Sequence, residues 1–442
     1  MFKTLASAFK NKEIRKGILI TIGLLLVYRL GCFLPIPGIN TAAYLDQVNA
    51  DGLGVLDLLN SVTGSALANG SFLALGITPY INASIIVQLL QVGIPALERL
   101  TKEGDEGRQK INFITKCVAI GLAIAQGVGI VIGFGTEGLV PLFGESAPIW
   151  LTGAVVVIMM VAGTCFTIWL GDRITEQKIG NGISLIIFVG IMASAAKAVL
   201  NTIAGTDSGN GILQGNWAAL WELLGFMALV FIIFTLIVFI DLSERKIPVQ
   251  YAKQIKGRKM FGGQTSFIPM KINASGVMPI IFASAIITFP SMIMQIFNVT
   301  YESGWFARFY YDYLNPGGVV YSILVGLLIL FFAFFYAQIQ FNPADVSQNI
   351  QQHGGFIPGI RAGKATTDYL KKVSNRITLF GAFFLMFIAI VPAIVFNFVA
   401  GGNLELVNAF TATGMLIVVS VAIEFNTQLE AQLMMKRHKN IL

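Results

Sequence analysis

The sequence predicts an all-α polytopic membrane protein with ten transmembrane helices. Three observations predict it. First, 55% of the 442 residues are hydrophobic and only 12% are charged, whereas ordinary soluble domains carry about 25% charged residues. Second, apolar runs of the roughly 20 residues needed to cross a bilayer lie near 17–34, 72–93, 111–134, 149–170, 182–204, 217–240, 274–298, 319–339, 377–399 and 404–425. Third, basic residues alternate from loop to loop. With the N-terminus in the cytoplasm, 27 of the 30 Lys and Arg fall in the two tails and every second loop, the distribution that sets orientation in membranes. The exceptions are Arg29, Lys197 and Arg308. One span more or fewer would scramble that alternation, so both termini are expected in the cytoplasm. The net charge of +7 then belongs to loops and is no nucleic-acid footprint.

The N-terminal tail carries Lys3, Lys10, Lys12, Arg15 and Lys16 before an apolar run, as a signal peptide does. No small-residue cleavage site follows; the run leads into Pro35-Ile36-Pro37-Gly38 and reads as a retained first span. Arg29 lies close enough to its outer end to snorkel. The next stretch, Ser61 to Gly70, reads SVTGSALANG and is too short and polar to span. It enters the apolar stretch Phe72 to Gly93, which carries ITPYINASIIVQLL. A half-length piece leading into a full span reads as re-entrant backbone lining an aqueous path, because such backbone survives at membrane depth only beside a cavity or inside protein. An amphipathic helix lying on the membrane surface is the other reading. Cys32, Cys117 and Cys165 match no zinc or redox spacing and read as small apolar fillers.

Two loops exceed thirty residues, at 241–273 and 341–376, and both are basic. In the first, Ile247, Val249 and Tyr251 alternate with Lys246 and Gln250, and Gly257-Arg258-Lys259 sits at a turn. That pattern predicts a β-hairpin, with Pro248 restricting its strand to an edge. Basic juxtamembrane loops often do no more than set orientation or meet anionic lipid. Ordered projections of this kind also suit a large docking partner.

Almost no ionisable residue falls in mid-span, where ion-coupled transporters and intramembrane enzymes need them. His353 and His438 are the only histidines, and HExxH and GxSxG are absent. GIRAGKAT (359–366) fails as a phosphate loop in both spacing and its final Ala-Thr. No catalytic centre, metal or cofactor is expected. Polar intramembrane positions are neutral: Asn82, Ser84, Gln88, Gln126, Asn273 and Ser275. Taken singly, each suits an interhelical hydrogen bond. Ile81 and Ile85 are four apart, as are Ile183 and Ile187, so each pair shares a helical face. The residues leave two classes open, a partner-driven channel and an inverted-repeat secondary transporter of small solutes. The missing midplane charges weigh against the transporter.

The strings PYINASIIVQLL (79–90), GRQKINFITK (107–116), GDRITEQKIGNGISLIIFVGI (171–191), ERKIPVQYAK (244–253) and FNPADVSQNIQQHGGFIPGIRAGKAT (341–366) resemble the SecY family, the channel subunits of the bacterial protein-export translocon. The resemblance runs from the first span to the tenth. It implies two pseudo-symmetric inverted halves, 1–205 and 206–442, opening like a clamshell around an hourglass pore. It implies a plug helix over 61–72, including Ser61, Thr63, Gly64, Ser65, Ala66, Leu67, Ala68, Asn69 and Gly70. It implies a pore ring of Ile81, Ile85, Ile183, Ile187 and Ile281, with Ile417 as the best match in span ten. A lateral gate between spans two and seven would carry Asn82, Ser84, Gln88, Gln126 and Asn273. Lys253, Arg258, Lys259, Arg361 and Lys364 would dock the SecA motor or the ribosome. Further implied partners are SecE and SecG, secretory preproteins with their signal sequences, and anionic lipids. The implied location is the bacterial plasma membrane. Two positions depart from the family pattern: Gln254 stands where a basic residue is common, and Ala362 where Pro is.

Overall fold

In the computed structural model the described residues are 7–40, 63–134, 138–142, 148–204, 217–251, 254–256, 259–261, 265–273, 276–296, 304–314, 319–399 and 404–439. A helix occupies each of the ten apolar stretches: α1 (Lys12–Gly31), α2 (Thr78–Gly93), α4 (Asp105–Phe134), α5 (Ile149–Glu176), α6 (Gly182–Ala204), α7 (Trp217–Asp241), α8 (Met278–Ile296), α10 (Val319–Gln340), α12 (Lys364–Val399) and α14 (Ala412–Lys439). Short helices α3 (Pro95–Lys102), α9 (Trp305–Tyr313), α11 (Pro343–Gln352) and α13 (Leu404–Ala409) lie between them. By length and apolarity alone, 7 of the described helices can cross a membrane, or 8 if the sharply bent pair α2 and α3 is one span.

Local chemistry sets several boundaries. Asn11 caps α1 by accepting from the Glu13 amide. The sequence places the second span from Phe72, yet α2 begins only at Thr78. Gly76 has φ +51°, which breaks a right-handed helix. Pro79 then sits in the first turn, where its missing N–H costs nothing. At the far end Ile94 is extended before Pro95, which opens α3. In the opposite direction, α12 starts thirteen residues before the apolar stretch, so much of the 341–376 loop is helix.

Neighbours repeat with an offset of five among these ten long helices. In the first half α2 packs on α4, α4 on α5, and α5 on α6, while α1 packs on both α5 and α6. In the second half α8 packs on α10, α10 on α12, and α12 on α14, while α7 packs on both α12 and α14. Across the halves, α6 lies against α14 and α13, and α8 against α4.

The basic loops add two small sheets. Strands β1 (Glu244–Tyr251) and β4 (Thr265–Lys271) pair antiparallel, and β2 (Gln254–Lys256) with β3 (Lys259–Phe261) forms the hairpin tip. Strand β5 (Gly355–Phe356), from the second long loop, pairs with the other side of β1. Pro248 therefore lies in the middle strand of the order β4-β1-β5, not in an edge strand as the sequence suggests. The proline is tolerated because β5 reaches only Gln250 and Tyr251. Beside Pro248 no ladder bond is owed on that side.

Candidate functional site

The isoleucines on α2, α6, α8 and α14 converge. Ile187 and Ile417 are buried in one cluster, with Ile81, Ile183 and Ile281 packed on it. Ile85 belongs to the adjoining cluster, which shares Ile81 and Ile281. Ile191 joins the same set at 4% exposure and was not singled out from sequence. It continues the spacing of four from Ile183 and Ile187, so the same face carries three isoleucines rather than two. Its Cγ2 lies 3.2 Å from where a Cβ on Gly414 of α14 would sit. Ile183, at the other end of the series, also packs toward Gly171 of α5.

Ala66, on the segment that precedes α2, is fully buried and belongs to the same apolar cluster as these isoleucines. Ser61 lies outside the described residues. Thr63 is helical, Gly64 to Gly70 form turns and a bend, and Ser71 bridges Pro35, so among the described residues the expected helix does not continue past Thr63. Gly64, Ser65 and Gly70 have φ of +71°, +67° and +54°, values that a right-handed helix excludes. Nor does the segment lie on a surface: Thr63, Ala66, Leu67 and Ala68 are all 6% exposed or less. Its turns close through the amides of Asn69, Gly70 and Ser71, which donate to Ser65, Leu67 and Ala66 carbonyls. Ser71 Oγ adds a second bond to Ala66 at 2.9 Å. The segment is tied to the end of the first span by the Ile36 amide donating to Gly70 and the Phe72 amide to Leu34.

Arg29 reaches this segment. Its Nη1 donates to the Gly64 carbonyl at 3.1 Å, and its guanidinium lies 5.7 Å from the centre of the Phe33 ring. Snorkelling alone does not describe it; the half-buried arginine holds the turn. Gly64 has no room for a side chain, because a Cβ would fall 2.2 Å from that same nitrogen and 3.0 Å from the Gly190 carbonyl of α6.

Between α2 and α8 the contact is apolar. Ile85, Phe282 and Phe332 are buried together with Ile81, Leu89, Met278 and Ile281 around them. Phe282 stacks obliquely on Phe332 of α10 with ring centres 5.3 Å apart. The polar residues expected beside this seam divide into groups. Gln88 donates to Ser84 within α2 at 3.3 Å, and Asn82 is half-buried on the same helix. Gln126 is buried on α4 at 9% exposure. Asn273 belongs to a different junction: its Nδ2 donates to Asp241 Oδ1 at the end of α7, 3.0 Å away. Ser420 of α14 donates to the other Asp241 oxygen at 3.3 Å. Asp241 thus ties the end of α7 to the segment leading into α8 and to the body of α14.

The two basic loops share one core. Ile247, Val249 and Met270 from the first are buried with Ile350, Ile357, Leu370 and Val373 from the second. Asn342 caps α11 by accepting from Ala344, followed by Pro343 and Asp345 in the first turn. Arg361 is exposed in the turn before α12, and Lys364 opens that helix, also exposed. The Arg361 carbonyl accepts from Thr366 Oγ1 at 2.9 Å, and Ser347 Oγ donates to the Gly363 carbonyl at 3.0 Å. The turn is therefore held to α11, with Arg361's side chain at the surface. Lys259 lies in β3, opposite Lys256. Lys253 and Arg258 lie outside the described residues.

Comparison with known proteins agrees with this architecture. The SecY family model matches residues 71–426. A protein translocase subunit SecY of Streptomyces coelicolor is 40% identical, covering 100% of both chains. Its counterpart in Haemophilus influenzae is 39% identical over 97% of this chain and 94% of its own. A solved SecY structure, studied for a plug domain that stabilises the closed channel and maintains a membrane seal, superposes with TM-score 0.63 at 21% identity, covering 94% of this chain and 91% of its own. Sec61 in a canine ribosome–channel complex from the endoplasmic reticulum gives TM-score 0.59 at 19% identity, covering 93% and 90%. The chain belongs to the SecY family, the channel-forming, membrane-embedded subunits of the protein translocase.

Proposed function

We propose that the isoleucine cluster is the constriction of this translocase channel, that residues 63–72 are its plug, and that the α2–α8 seam is its lateral gate. What supports this reading is that fully buried Ala66 shares one apolar cluster with isoleucines of α2, α6, α8 and α14. β-Branched side chains are stiff at χ1, and an apolar ring of them gates by dewetting. Such a ring offers a passing chain no hydrogen bonds, so it does not select by sequence. A hydrophobic signal segment leaving through the apolar seam would gain about 25 cal/mol for each Å² of apolar surface buried in lipid.

The ten helices are all spans in this reading, both termini are cytoplasmic, and the five-span offset in neighbour packing supports two inverted halves. The joined basic loops, with Arg361 exposed, form a platform for a motor ATPase such as SecA or for a ribosome, as the canine relative binds one. SecE- and SecG-like subunits would cover part of the apolar outer surface and should co-purify as small single- or double-span chains. The test of the constriction is single-channel recording in planar bilayers. Replacing Ile81, Ile187, Ile281 and Ile417 together with Gly should wet the ring and raise resting ion conductance about tenfold or more. Wild-type tightness in that variant would remove these residues from the constriction.

A further inference from the structure

Of the three basic residues on the outer side of the proposed topology, Arg29 and Lys197 come together. They line one open cavity of about 730 Å³ between the end of α1, the plug and the outer part of α6. Ser65, Asn69 and Asn201 supply further polar groups on its wall, and among the described residues no Asp or Glu lines it. Cations are scarce on this side of a membrane protein, so their convergence on an acid-free cavity points to an anion. Arg29 spends one N–H on the Gly64 carbonyl, and a guanidinium has five donors. Lys197 is exposed on α6. At the rim Phe33 and Leu200 are 65% and 64% exposed, which gives the cavity an apolar lip beside its charged floor.

We propose that this cavity binds a phosphate-bearing anionic group, the chemistry shared by an outer-leaflet anionic lipid headgroup and free inorganic phosphate. Phosphate suits a guanidinium fork and an ammonium point charge held together. The site needs the plug in place, because Gly64, Ser65 and Asn69 form one wall. An anion bound there therefore favours the closed plug over the displaced one, by its differential affinity for the two states. The inference rests on the outward orientation of the Arg29 and Lys197 ends.

The test uses the full chain in its translocon complex, in phosphatidylcholine nanodiscs. In one arm a photo-crosslinkable phosphatidylglycerol is added and labelled peptides are mapped by mass spectrometry. In the other, binding of radiolabelled inorganic phosphate is measured by equilibrium dialysis. Lys197→Gln changes an exposed residue and should leave the fold intact; it should lower labelling of 193–204, or phosphate binding, about tenfold. Arg29→Gln should do the same, and Lys178→Gln on the opposite face should do nothing. Dependence in the lipid arm assigns a headgroup, and dependence in the phosphate arm assigns the free anion. Equal signal in wild type and Lys197→Gln in both arms overturns the site, as does equal labelling by a phosphatidylcholine probe. Lys197→Cys, in a background without Cys32, Cys117 and Cys165, should react with an impermeant maleimide from outside. Reaction from the cytoplasmic side alone would overturn the orientation and leave the binding result to judge the cavity separately.

Discussion

In the proposed plug, Gly64 and Ser65 are the backbone positions on which a seal would depend. Both lie in the left-handed region, which costs an L-residue with a side chain about 1–2 kcal/mol. Gly64 escapes that cost and leaves space for Arg29 Nη1, whereas Ser65 carries the strain. Gly64→Ala should push the plug off its seat and raise resting open probability in planar bilayers roughly tenfold. Ser65→Gly should relieve strain in the closed state and lower it by a small factor. Unchanged recordings from both variants would separate these turns from the seal. A second residue acts at the opposite face. Arg361 projects from a turn held to α11 by the Ser347 hydroxyl, and arginine offers a planar fork that lysine lacks. Arg361→Lys and Arg361→Glu should both insert normally. Each charge-assisted contact is worth about 1.5–3 kcal/mol. Losing one or two should slow ATP-driven export about tenfold or more, the Glu variant being worse. Proteoliposomes with purified SecA give the rate, and full speed in the Lys variant would rule out a bidentate grip.

Among the elements, the shortest strand has the widest consequence. β5 is two residues long, yet it joins the two basic loops into one sheet through Gln250 and Tyr251. Gly355 makes this possible by its lack of a side chain. A Cβ there would lie 3.0 Å from both Tyr251 Cε1 and Ile350 Cγ2. Gly355→Val should therefore detach β5 while leaving the β1–β4 hairpin paired. Amide hydrogen exchange is the measurement. Protection at 355–357 should fall about tenfold or more, with Ile247 and Ile268 unaffected. If protection persists at 355–357, the two loops are coupled by the buried core around Leu370 and not by the strand. The helices α11 and α12 make the same point at larger size. They fill most of the second loop, so the proposed docking face would be a folded platform and not a pair of flexible tethers.

At the scale of the whole molecule, the helices of each half are packed on one another in the same order, and few contacts bridge the front between α2 and α8. That seam is made by side chains from Ile81, Ile85, Met278 and Phe282. Its packing is of apolar side chains, which part without a polar bond of their own to break. A cysteine pair at Ile85 and Phe282, in a chain lacking the free Cys32, Cys117 and Cys165, should lock it on oxidation. Export of a signal-bearing precursor should stop and return when a reductant opens the disulfide. Export that continues through a fully crosslinked seam would move the gate elsewhere. By contrast, Asp241 receives bonds from Asn273 and Ser420 and joins the end of α7 to the segment before α8 and to α14. The junction is held by polar bonds and is partly buried, whereas the seam is apolar, so motion should concentrate at the seam.

Much of this protein is written locally and can be read from the chain. Composition and run length set the ten apolar helices, because crossing a bilayer is a matter of consecutive residues. Loop charge predicts orientation, and period-two alternation in 247–251 predicts the strand. The spacing of four puts isoleucines on one face, and extending it one step would have included Ile191. What the chain alone could not decide is which distant groups meet. Asn273 is expected from the resemblance at the gate; the fold adds that its partner is Asp241, 32 positions away, and nothing in the spacing signals an amide–carboxylate pair. Pro248 argued for an edge strand because β5 comes from another loop a hundred residues on. The plug turns and the Arg29 bond to Gly64 likewise join segments 35 residues apart. Small and neutral polar residues have no periodic signature, so only tertiary packing selects their partners. Where periodicity governs, sequence suffices; where a backbone carbonyl or a missing Cβ decides, the answer waits for the fold.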